Sequence, residues 1–194
     1  MGKSILKGIL DKRGCRIRFL LVFLLLYAVF LLVWIWIKDY YGLVITYIAS
    51  HLVSYVKDVH ISWIHMEESI IRVGFIPERY SLERILIEIT VRNYSYTFNV
   101  PLTLAIMFAF YPLLKRRLVY IWIVLILFFL HIFFVFSLEG QRLTSVMTGR
   151  GFEKDDKIDV FLWSSIHGFI GSMAIRFEPF LVGIYMYFRR LKNM

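Results

Sequence analysis

Four apolar runs, each long enough to cross a bilayer, leave this chain few folds to choose from. A transmembrane helix needs about 20 largely apolar residues, with a range of about 17–25. The runs are 17–37, 98–114, 118–138 and 161–188, the last ending at Phe188. Hydrophobic residues make up 59% of the chain, against about 45–50% in ordinary soluble domains. The excess lies in these runs, so the chain reads as a mainly α integral membrane protein with four transmembrane helices.

The charges orient the spans. Lys3, Lys7, Lys12, Arg13, Arg16 and Arg18 surround the start of the first run. Lys115, Arg116 and Arg117 link the second to the third, and Arg189, Arg190 and Lys192 follow the fourth. Four spans put all three clusters on one side, which the positive-inside rule makes cytoplasmic. Every acidic residue except Asp11 and Glu178 falls in the two segments assigned to the other side, 39–97 and 139–159. Trp34, Trp36, Tyr40 and Tyr41 on one edge, with Tyr111 and Tyr187 on the other, fit interfacial aromatic belts. The net charge of +9 therefore points to membrane topology and anionic headgroups, and nucleic acid is excluded as a partner. The expected order is a basic cytoplasmic N-terminus at 1–16, the first span at 17–37, exterior segments at 38–57 and 58–97, and the second span at 98–114. A link at 115–117, the third span at 118–138, an exterior loop at 139–160, the fourth span at 161–188 and a cytoplasmic tail at 189–194 complete it. The first run has the basic front of a signal peptide, but it is too long and no small-residue cleavage pattern precedes "KDYYG", so it reads as an uncleaved anchor.

The segment 38–97 is too long for a structureless loop. Leu43, Tyr47, Ile48 and Leu52 recur at helical spacing and predict a helix over 38–57, lying at the outer surface. The period then changes. "VHISWIHM" and "SIIRVGFI" are short, β-branched and aromatic, and "ERILIEITVRN" alternates. Ile85, Ile87, Ile89 and Val91 share one face; Arg84, Glu88, Thr90 and Arg92 share the other. With "GFIPERYS" as a turn, these predict a small exterior antiparallel sheet of three strands.

Polar groups inside the spans are costly and hence informative. Arg176, Glu178 and Pro179 sit together in the last run, His131 in the third and Asn99 in the second. At about 1.5 Å per residue, counted from the basic clusters, all four polar residues fall in one layer of the outer half of the bilayer. Arg176 and Glu178 are two apart and so do not face each other on a helix. Glu178 is expected to meet His131, Asn99 or a polar group on a partner helix. Pro179 cannot donate to the carbonyl of Ile175, and Arg176 is placed to help satisfy it. The cluster is compatible with an internal clamp, a partner contact, or a polar pocket for transport or catalysis.

Other chemistry is sparse. The single cysteine, Cys15, allows no internal disulfide. Leu6 stands where the myristoylation pattern needs Ser or Thr. His60 and His65, five apart, are expected on opposite faces of a strand, and His51 and His167 have no acidic neighbour in sequence. Metalloprotease, phosphate-loop, nucleophile-elbow and dinucleotide motifs are absent, and "EKDDKID" lacks calcium-loop spacing. "NYS" at 93–95 is a three-residue match to the N-glycosylation pattern and carries little weight. No metal, cofactor or catalytic residue is expected.

The exterior strands run directly into "NYSYTFNVPLTLAIMFAFYPLLKRR", then a third span, then a last span ending "FEPFLVGIYMYFRR". This order, with Pro101 opening the second span and Pro179 inside the fourth, resembles the small exosortase-associated membrane proteins of the exosortase H type. The resemblance implies residence in a bacterial inner membrane, where the basic clusters give an N-in and C-in topology, and assistance to an enzyme that cleaves C-terminal sorting helices from exported proteins. Exosortases themselves use a cysteine, an arginine and a histidine at the exterior side of their spans. Cys15 lies on the cytoplasmic flank, so this chain is not expected to be the peptidase. The expected partners are the lipid bilayer and another integral membrane protein. A non-catalytic accessory subunit is the leading reading; a transporter or channel component, or an intramembrane enzyme, stays open.

Overall fold

The computed structural model describes residues 2–78, 85–111, 118–151 and 157–192, with only the backbone at 2–16, 18 and 190–192. The link at 115–117, the turn residues 79–84 and residues 152–156 of the expected exterior loop lie outside the described residues.

Helix α1 runs from Gly2 to Val56 without a break. The helix expected at 38–57 is thus a continuation of the first span, and not a separate element at the membrane surface. Lys38 and Asp39 suggest a boundary but neither residue breaks a helix, and no proline occurs before Pro77. The helix ends where Asp58 takes a left-handed conformation, φ 47°, a usual helix-stopping geometry. At about 1.5 Å per residue, α1 is far longer than the roughly 30 Å hydrocarbon core. Its distal part therefore has to stand outside.

Three strands follow: β1 (Val59–Glu67), β2 (Ile70–Pro77) and β3 (Ile87–Arg92). They form one antiparallel sheet in the order β1-β2-β3. Glu68 and Ser69, both at positive φ, make the two-residue β1–β2 turn, whose twist suits a tight hairpin. Ile87, Ile89 and Val91 are buried while Glu88 and Arg92 are exposed, the expected alternation. The register shifts between Ile61 and Trp63. That irregularity resets the alternation in β1, so His60 and His65 are both exposed, contrary to the opposite faces read from their spacing.

After a single turn, α2 (Tyr94–Thr97), come α3 (Val100–Phe110) and α4 (Leu118–Gly149). Helix α4 extends well past the expected end of the third span at 138. Residues 139–149, expected as part of the exterior loop, are helical, and Leu143 and Met147 join the core. Helix α5 (Lys157–Phe169), a π-helical segment (Ile170–Ile175) and α6 (Arg176–Lys192) form one continuous helical run. Among the described residues, three helical stretches are long and apolar enough to cross a membrane: Phe19–Val56, Leu118–Gly149 and Lys157–Arg189. Helix α3 is 11 residues long, and the chain that would complete a second span lies partly outside the described residues.

The sheet packs on the distal parts of α1 and α4. Ile45, Ala49 and Val53 of α1 recur at i, i+4 and i+8 and meet Ile71, Val73, Phe75, Ile87, Ile89 and Val91 from the sheet. Val135, Leu138 and Leu143 close the core from α4. Lys57, at the tip of α1, pairs with Asp159 of α5 at 2.5 Å and lies 5.6 Å from the Trp163 ring centroid. A compact cap thus sits on the helices, held by apolar burial of the soluble kind. Below it, α1 is apolar and exposed from Ile17 to Ile37 on most of its surface.

Candidate functional site

Under the cap, four helices each contribute one polar side chain to a continuous chain of hydrogen bonds. Thr103 of α3 donates to Glu178 Oε1 at 2.8 Å. His131 Nε2 of α4 lies 3.1 Å from Glu178 Oε2 of α6. Tyr41 of α1 lies 2.7 Å from His131 Nδ1 through its hydroxyl. One protonation pattern satisfies every group: Tyr41 donates to Nδ1, Nε2–H donates to the carboxylate, and Thr103 donates to its other oxygen. The pair is sealed from solvent, with side-chain exposures of 0% for His131 and 1% for Glu178. Tyr41 and Tyr96 flank the imidazole, with ring centroids 5.8 and 5.7 Å away. Tyr96 turns its hydroxyl toward the Gly42 carbonyl at 3.5 Å, and burial holds that hydroxyl above its ordinary range, so it remains a donor.

Of the four residues marked in the sequence, His131 and Glu178 meet directly. Asn99 stands beside them but bonds elsewhere: its Nδ2 donates to the Ile175 carbonyl at 2.7 Å. The role foreseen for Arg176, serving the carbonyl freed by Pro179, thus belongs to Asn99. Arg176 is exposed and turned away from the buried pair. The π-helical turn at Ile170–Ile175 ends where the proline ring would crowd an α-helical carbonyl.

Sequence reading missed three members. Tyr41 was assigned to an aromatic belt, and Thr103 is unobtrusive in an apolar run. Glu139, assigned to a loop, is fully buried on α4 and accepts from Ser50 Oγ at 2.8 Å. Its second oxygen, Oε2, has no hydrogen-bond partner among the described residues. Arg142, one turn on, donates to the Thr90 carbonyl of β3. The available signal was spacing: His131 and Glu139 are eight apart, close to one face of a helix. Asn93, the centre of the glycosylation-like triplet, is buried and donates to the Lys38 carbonyl, which pins β3 to α1.

The other histidines play local parts. His60 pairs with Glu78 at 3.2 Å on the surface, His51 bonds the Tyr47 carbonyl, and His167 lies 3.3 Å from Ser137. Among the described residues no group of three or more His, Cys, Asp or Glu is placed to hold a metal. Chemically, the buried chain can fix the relative positions of α1, α3, α4 and α6.

No curated protein and no solved structure matches the chain. Residues 15–165 match the family described as exosortase H-associated membrane proteins. The match takes in most of α1, the sheet, α3, α4 and their polar residues Tyr41, Asn99, Thr103 and His131, and this chain belongs to that family.

Proposed function

We propose that this protein is a non-catalytic accessory subunit of a bacterial inner-membrane complex that assists an exosortase-type protein-sorting peptidase. The observation that carries this reading is the closure of the intramembrane polar chain. His131 and Glu178 are spent on each other, on Tyr41 and on Thr103, and neither reaches a surface from which a substrate could be handled. Such a chain holds helices in place. It lacks both an exposed nucleophile and the access a general acid or base needs. A transporter would need a water path to Glu178, and its burial weighs against one.

The family description supplies the kind of partner, and the exposed apolar helix faces supply the surface. In this proposal four spans cross the membrane, N-in and C-in, with α3 and the residues after it forming the second. The cap of sheet, α1 and α4 stands on the exterior side, where exosortases carry their catalytic groups.

Co-purification from gently solubilised membranes tests the function. A stoichiometric integral membrane protein with exosortase character is expected; a chain that isolates alone under conditions preserving other complexes would overturn it. Topology has its own test. In a Cys15→Ser background, cysteines placed at Glu78 and Lys154 should react with an impermeant reagent added to intact spheroplasts. Protection of both would reverse the orientation.

A further inference from the structure

Arg176 is the one polar residue of the expected cluster that the fold leaves outside. It begins α6 with its side chain exposed. With Leu102, Ile106, Phe180, Gly183 and Ile184 it lines an open groove of about 520 Å³ between α3 and α6. Among the described residues no carboxylate lies within ion-pair distance of it. Glu178, two residues on, is directed inward at His131 and Thr103. Arg176 also lies within the candidate span Lys157–Arg189, thirteen residues before its basic end, roughly 20 Å along the helix. A guanidinium there is expensive unless something neutralises it.

We propose that this groove receives a transmembrane helix of an integral membrane partner, and that an Asp or Glu on that helix faces Arg176. The inference rests on the accessory-subunit reading and specifies its contact. Three observations favour a helix over other occupants. The groove follows α6 from Arg176 to Tyr187, about three turns, whereas a lipid phosphate would occupy only its upper end. Its walls are apolar and open, with Phe180 63% exposed. Gly183 opens the floor: a Cβ added there would meet its own chain only at Ile106 Cγ2, 3.8 Å away. A second copy of this chain is poorly suited to supply the acid. Its buried carboxylates are committed, Glu178 within the helices to His131 and Thr103 and Glu139 beneath the sheet to Ser50.

The test uses the full chain in its native membrane with a photo-crosslinking phenylalanine analogue in place of Phe180. Irradiation should join it to a partner's transmembrane helix that contains Asp or Glu. Arg176→Asp should lower the yield about tenfold or more, and replacing the partner's carboxylate by Lys should restore it. Gly183→Leu should abolish the cross-link while the isolated chain keeps its thermal stability. Adducts to lipid alone or to a second copy, or a yield indifferent to Arg176→Asp, would overturn the proposal. If an integral partner still co-purifies with both Arg176→Asp and Gly183→Leu chains, the groove is wrong and the accessory reading stands. If no integral partner is found, both fall.

Discussion

Asn99 donates its side-chain amide to the carbonyl of Ile175, 2.7 Å away on α6, the carbonyl that Pro179 cannot serve because it has no N–H. Asn99 occupies the N-cap of α3 yet makes no capping bond to its own helix. The residue type suited to capping is used instead to mend a neighbouring helix. The pairing also accounts for a proline being tolerated deep in an apolar span, since a freed carbonyl is acceptable there when another helix satisfies it.

The pairing predicts a non-additive pair of substitutions. Asn99→Leu should destabilise the purified protein by about 1–3 kcal/mol, because a buried acceptor is left unpaired. In a Pro179→Ala background the backbone N–H returns and can take the Ile175 carbonyl. Asn99→Leu should then cost at least about 1 kcal/mol less. Thermal unfolding of the four proteins in one detergent measures the cycle, and strict additivity would rule out the assignment.

A second expectation concerns Glu178. Glu178→Gln keeps an acceptor for Thr103 but places an amide N–H, or a weaker acceptor, against His131 Nε2. It should lower stability by about 1–3 kcal/mol and leave co-purification of the partner intact, because the carboxylate does not reach the surface. Tyr41→Phe removes one hydrogen bond while keeping the ring, and should cost only about 0.5–1.5 kcal/mol. Loss of partner binding by folded Glu178→Gln protein would place the carboxylate in the interface instead.

Much of this was legible from residue types and spacing. Period-two alternation in "ERILIEITVRN" located β3 and its buried face, and the scarcity of polar residues in apolar runs drew attention to His131 and Glu178. What was not legible depended on tertiary context. Charged residues at Lys38 and Glu139 look like the ends of spans, and only packing reveals that α1 and α4 continue outward because the sheet covers one side of each. Tyr41 and Thr103 have ordinary uses in membrane helices, so their sequence positions could not betray a shared partner. The bulge in β1 follows from the pairing with β2 and has no local signature. Depth along a helix gives no rotation about it, so the sequence could not tell that Asn99, and not Arg176, meets the Ile175 carbonyl.

The sheet's polarity gives a third expectation. Ile87 is buried opposite Phe75, and Ile87→Asp should cost about 4 kcal/mol or more, or prevent accumulation of folded protein. Thr90 is half-buried and paired with Arg72 across the sheet. Thr90→Asp would set opposite charges side by side and should change stability by less than about 1 kcal/mol. Comparable losses from the two, read by protease resistance of the cap, would contradict the register.

Glycines supply the last expectation, because three of them on helices should respond with different signs. An Ala at Gly140 would drive its Cβ into the Trp163 ring, and one at Gly42 into the Asn93 carboxamide. Trp163 is buried between α4 and α5, and Asn93 is the tie from β3 to the Lys38 carbonyl. Both substitutions should destabilise, by about 1–3 kcal/mol for overpacking and more at Gly42 if the Asn93 bond is lost. At Gly183 the added methyl meets nothing closer than 3.8 Å. Removing the backbone freedom of a helical glycine should then stabilise the isolated chain by about 0.5–1 kcal/mol. Gly42 and Gly140 would thus be glycines because the fold needs the space, and Gly183 for the sake of something outside the chain. Thermal unfolding of the three Ala variants decides this: a loss at Gly183 equal to that at Gly140 would mean its groove is closed by the protein itself.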